Sequence, residues 1–200
     1  TTVDGVRGTI ALEDIETGEI MLEIPQKLMM CEPVCKMSEK IGHVFRDTSL
    51  FRFGGVGSEL VAVFLMHERL QGEKSFWYPF IKVLPDPTTI CKWSRKQLNE
   101  LQDPALCKAA DDKWSHFRVQ YIRLFSRLRS RFPDEFPEEL YTESLFRWAI
   151  LTVAARAFGR RLEWMALVPF ADNLNHGNVA TKYDFDVGGN GVFRLFPTGT

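Results

Sequence analysis

The chain has 200 residues, of which 45% are hydrophobic and 26% charged, and its formal net charge is −1. That length and apolar share suit one domain with a sizeable core and exclude a compositionally disordered segment. Near-neutral charge argues against a general nucleic-acid binder, and no apolar run is long enough to cross a bilayer.

The four cysteines, Cys31, Cys35, Cys91 and Cys107, are unevenly spaced, which suits reduced thiols in an intracellular protein. The first residues do not read as a secretory signal.

In chain order, residues 7–12 and 19–24 carry the β-branched and apolar residues of two strands, with Glu16-Thr17-Gly18 as the turn between them. Pro25 ends the second strand because it cannot donate to a ladder. A glycine cluster, Gly54-Gly55-Val56-Gly57, precedes Ser58, which is expected to cap a helix running to Gly72. Residues 76–84 form a dense aromatic and apolar segment, and Ser94 with Gln97 has capping-box spacing. Residues 105–132 predict a long helix or a pair, with Trp114, Phe117, Tyr121, Leu124, Phe125 and Leu128 on one apolar face. Thr142 is expected to cap a further helix running to Phe158.

The last third changes character. Ala166-Leu167-Val168 is a short apolar run, and residues 172–178 have loop chemistry. Residues 179–187 and 191–196 read as two strands joined by a glycine-rich hairpin turn. The order of strands, helices and strands gives an α+β fold with an inserted helical region.

Several features that could carry chemistry have plainer readings. His43, His67 and His116 are scattered, and Cys31 and Cys35 stand alone without a second ligand pair, so no metal is expected. The 54–58 glycine cluster lacks the lysine of a phosphate loop, and Asp184 with Asp186 lacks the ligand spacing of a calcium loop. Arg123, Arg127 and Arg131 form a basic stripe, most simply a solvated helix face. Arg156 to Asn178 is richer: a helix end with arginines, a buried strand and an Asn-His loop converge there. Read from the residues alone, this is either a ligand pocket or a capped strand whose polar groups serve its turn.

Residues 167–176, Leu-Val-Pro-Phe-Ala-Asp-Asn-Leu-Asn-His, resemble the Asn-His motif of SET-domain protein methyltransferases. The resemblance is to the branch that includes the Rubisco large-subunit lysine methyltransferase and the actin-histidine methyltransferase. Three other stretches agree in order: Gly5 to Ala11 with Asp14-Ile15 and Gly18-Glu19, Phe64 to Pro85, and Arg156-Ala157-Phe158. The resemblance implies a SET-domain β-fold with an inserted helical region (iSET), divided as residues 1–57, 58–160 and 161–200. It implies S-adenosyl-L-methionine as cofactor, bound by Gly5, Val6, Arg7, Asn175 and His176. It places Arg156, Arg160, Asp172 and Tyr183 on the side of a protein substrate, whose acceptor is lysine or, as the close variant, histidine. Ala155 stands where the family often has serine. The family continues past the position of Thr200 with the catalytic tyrosine, a pseudoknot segment and a helical lobe, so these 200 residues are expected to be inactive alone. A cofactor-binding or protein-interaction module without catalysis is the alternative from another class.

Overall fold

The computed structural model describes residues 2–3, 6–51, 57–175, 180–185 and 191–198. Among them, β1 (Thr2–Val3) and β2 (Val6–Arg7) pair antiparallel. β3 (Leu22–Pro25) and β4 (Met30–Cys31) follow, then two short helices, α1 (Glu32–Met37) and α2 (Gly42–Arg46). The helical region comprises α3 (Ser58–Gln71), α4 (Tyr78–Val83), α5 (Arg95–Glu100), α6 (Pro104–Arg131) and α7 (Glu143–Arg156). β5 (Ala166–Leu167), β6 (Thr181–Phe185) and β7 (Val192–Pro197) return the chain to strands. The α+β order of strands, helices and strands is therefore the observed one.

The local helix signals act as their chemistry requires. Ser94 and Gln97 close a reciprocal capping box on α5, and the Thr142 hydroxyl accepts from the Leu145 amide at the start of α7. Gly72 ends α3 at φ 56°. At the other end of α3 the expectation fails: Gly57, at φ 84°, is the cap, and Ser58 is already helical. A left-handed residue suits glycine there. α3 is buried almost all round from Ser58 to Met66, so it is a central helix rather than an amphipathic one. α7 packs along it, and α6 covers the pair with Phe117, Tyr121, Leu124, Phe125 and Leu128.

The first expected hairpin also differs. Residues 8–12 form no strand, and Leu12 is 94% exposed. β3 pairs instead with β7, with Ile24 opposite Phe193 and Leu22 opposite Leu195. β7 lies between β3 and β6 in a three-stranded antiparallel sheet, because its Phe193 and Leu195 supply the apolar face that both neighbours need. The expected antiparallel pairing of β6 and β7 is present, with Phe185 opposite Phe193, while residues 188–190 of the expected glycine-rich turn lie outside the described residues. Helices α1 and α2, and strand β4, had no counterpart among the expected elements.

Two hydrophobic clusters divide the interior, and the β4–β5 ladder stands between them. Met30 pairs with Leu167 and Cys31 with Ala166. Met30 and Leu167 belong to the helical cluster, whereas Cys31, Ala166 and Val168 belong to the sheet cluster. Alternation along a strand sends successive side chains to opposite faces, so this short ladder has a core on each side. The Trp77 ring packs against both clusters, and its indole N–H donates to the Leu28 carbonyl at 2.9 Å. Leu167→Ala should cost about 2–5 kcal/mol by opening a cavity in the helical cluster. Chemical denaturation would read that as a lower midpoint, while Leu12→Ala should leave the midpoint unchanged.

Candidate functional site

The β5 strand delivers the chain to a tight turn that carries the polar residues. Val168 accepts from the Asp172 amide, Phe170 from the Asn173 amide and Ala171 from the Leu174 amide. Phe170 adopts φ 73° and ψ −44°, a rare conformation for a bulky residue, and remains 56% exposed. No burial of its ring offsets that backbone cost of about 1–3 kcal/mol. Nothing in the amino-acid pattern pointed to this residue.

Arg156, the last residue of α7, reaches across to this turn. Its guanidinium donates to the Asp172 carboxylate at 2.9 Å and to the Asp172 carbonyl at 3.1 Å. The Asp172 side chain is 1% exposed and the Arg156 side chain 22%. A buried carboxylate needs a cation and hydrogen bonds to hold its charge, and Arg156 supplies both while tying the helix end to the turn.

The turn also meets the N-terminal segment. The Thr9 amide donates to the Asn173 carbonyl at 3.3 Å. A β-carbon added at Gly8 would fall 2.2 Å from Asn175 Nδ2 and 2.5 Å from Asn175 Oδ1. The Asn175 carboxamide thus occupies the place a side chain at Gly8 would take, and Gly8 is required by this close approach. Val6 and Arg7 lie directly before it in β2. Gly5 and His176 lie outside the described residues.

The remaining expected positions sit apart from this contact. Arg160 is exposed in the turn that leads from α7 towards β5. Tyr183 joins an aromatic group in the sheet, stacked on Phe193 at 5.5 Å and edge-on to Phe158 at 5.2 Å. The plainer readings of other residues have structural partners: His43 bonds Glu135 at 2.9 Å, and His67 bonds the Tyr141 hydroxyl at 2.8 Å. Burial holds the His67 imidazole down at about 4, so it is neutral at ordinary pH. All four cysteines are free thiols, and burial pushes the Cys31 thiol up to about 12.

No family model matches the chain. Individual relatives do. It is 28% identical over 191 residues to the Rubisco large subunit N-methyltransferase of Pisum sativum, covering 94% of this chain and 37% of that protein. It is 30% identical over 192 residues to the fructose-bisphosphate aldolase-lysine N-methyltransferase of Arabidopsis thaliana, covering 93% and 37%. The actin-histidine N-methyltransferase of Canis lupus familiaris is 25% identical over 190 residues, covering 90% and 31%. Among solved structures, the SET domain of LSMT bound to methyl-lysine and AdoHcy superposes with a TM-score of 0.77 at 26% identity, over 96% of this chain and 44% of that one. Rubisco LSMT bound to AdoMet gives a TM-score of 0.75 at 27% identity, over 95% and 42%. The chain has the SET-domain fold of these methyltransferases and is similar to them in sequence over nearly its whole length. It spans less than half the length of each of these relatives.

Two substitutions separate support from contact. Arg156→Ala removes the cation opposite a buried carboxylate and should cost about 3 kcal/mol, lowering the thermal midpoint by several degrees. Gly8→Ala displaces only the exposed end of Asn175, so its stability change should stay within about 1 kcal/mol in the same thermal melt.

Proposed function

We propose that this chain is the cofactor-holding part of an S-adenosylmethionine-dependent protein N-methyltransferase whose acceptor is a lysine of a non-histone protein. The observation that carries this reading is the packing of Asn175 against Gly8, the residue that follows the expected cofactor stretch 5–7, although the two are 167 positions apart in the chain. The residues fit the group: the Gly8 position is kept free of a side chain, and the exposed Asn175 amide is at hand for a polar ligand. In this reading Val6, Arg7 and Asn175, with Gly5 and His176, hold the cofactor, and residues 58–160 are the insert between the SET segments 1–57 and 161–200.

S-adenosylmethionine, when bound, would supply an electrophilic methyl group. A lysine acceptor is charged at neutral pH and must reach the site as the neutral amine. The part of this chain in that step is positional. Arg156 holds the Asp172 turn against the end of α7, and Arg160 and Tyr183 lie on the flanking segments from which they would border the acceptor. Lysine is favoured over histidine because the aldolase-directed relative is a lysine enzyme and the LSMT structure is bound to methyl-lysine. Histidine remains the second reading because the actin-histidine enzyme matches over 90% of the chain.

Isothermal titration with S-adenosylmethionine tests the reading. The chain should bind, and Asn175→Ala and Gly8→Ala should each weaken binding by roughly tenfold, about 1.4 kcal/mol. No binding by the unsubstituted chain, or equal binding by all three, would leave a shared fold without the shared cofactor site.

A further inference from the structure

A cleft in the helical region lies away from the Asp172 turn. It encloses about 710 Å³ between α3, α6, α7 and the 86–92 segment, and it adjoins a second hollow of about 450 Å³ that reaches α4. Arg69, Asp86 and Trp148 line both.

Two arginines lie on indole faces here. The Arg69 guanidinium is 3.8 Å from the Trp148 ring centre, and the Arg147 guanidinium is 3.8 Å from that of Trp114. A guanidinium stacked by its face keeps its N–H edge directed outward for an acceptor. The acidic residues of the cleft already have cations: Lys92 pairs with Asp86, and Arg147 with Glu143. Glu68 lies at the floor of the smaller hollow, where its buried carboxylate accepts from the Ser75 hydroxyl at 2.6 Å. Burial raises the Glu68 carboxyl above its ordinary value. Arg69 and Lys82 have aromatic faces instead, with the Lys82 ammonium 5.6 Å from the Tyr78 ring, and among the described residues no ion pair joins either to a carboxylate. The Arg147 Nε–H is buried without an acceptor.

A chain of net charge −1 thus places two cations without an ion pair among the described residues, and several aromatic rings, in these two adjoining hollows. We propose that this cleft docks an acidic, aromatic-bearing segment of the protein substrate, outside the residue that is methylated. Carboxylates would meet the guanidinium edge of Arg69 and the Lys82 ammonium, while apolar side chains would lie on Trp148 and Leu145. A continuous phosphate backbone suits the cleft less, since Trp114, Leu145, Trp148 and Leu151 rather than further unpaired cations fill much of its lining. Trp148 and Arg156 are eight positions apart on α7, a rise of about 12 Å, which an extended peptide spans in about four residues. Naming the partner as substrate rests on the methyltransferase reading; the docking itself does not.

Fluorescence anisotropy with a short labelled peptide rich in glutamate and phenylalanine tests it, with a lysine-phenylalanine peptide and a single-stranded oligonucleotide as competitors. The acidic peptide should bind best, more weakly at high salt. Arg69→Glu with Lys82→Glu, both at exposed positions, should weaken it by tenfold or more, roughly the 1.4 kcal/mol per decade of affinity. S-adenosylmethionine titration of the same double variant should be unchanged. Equal binding of all three probes, tighter binding of the oligonucleotide, or full affinity in the double variant would overturn the proposal. Peptide binding without S-adenosylmethionine binding would keep the docking surface and remove the methyltransferase reading.

Discussion

The pairing of Met30–Cys31 with Ala166–Leu167 is the constraint on which the rest of the molecule depends. It is two residues long on each side, yet it has a hydrophobic cluster on both faces. A register slip of one residue would turn Leu167 towards the sheet and Ala166 towards the helices, exchanging a large side chain for a small one in both cores. That double penalty holds β5 in place, and with β5 the start of the polar turn at Val168.

From that fixed point the candidate site follows by short steps. Three turn hydrogen bonds carry the backbone from Val168 to Leu174, and Arg156 ties the turn to α7 through a carboxylate that is almost fully buried. The turn then presents Asn175 to Gly8, which can receive it because it has no side chain. The strained Phe170 sits inside this sequence of contacts with its ring exposed. Helical packing of α3, α6 and α7 thus serves the site indirectly, by fixing the helix end from which Arg156 reaches.

What the amino-acid pattern showed was largely local. The Ser94–Gln97 box, the Thr142 cap, the glycine at 72 and the β6–β7 pairing depend on near neighbours in the chain, and each is present in the structure. Pairing over distance was not legible. Residues 19–24 looked as if they should pair with 7–12, but the apolar face of β7, far along the chain, is the better partner for β3. Met30 and Cys31 carry no strand signal at all, because a two-residue strand buried on both faces shows no alternation to read. At the site, Asn175 and Asp172 came from resemblance in one short motif and Arg156 from a second stretch, Arg156-Ala157-Phe158. The Gly8–Asn175 approach and the conformation of Phe170 exist only in three dimensions.

The central claim is that the ladder and turn bring the N-terminal segment and Asn175 together as one ligand site. Two-dimensional NMR of the isotope-labelled chain during titration with S-adenosylmethionine tests it most directly. The account predicts that the Gly8, Thr9 and Asn175 amides shift together along one binding curve, while the amides around Arg69 and Trp148 stay in place. Shifts confined to the helical cleft, with Gly8 and Asn175 unmoved, would contradict it.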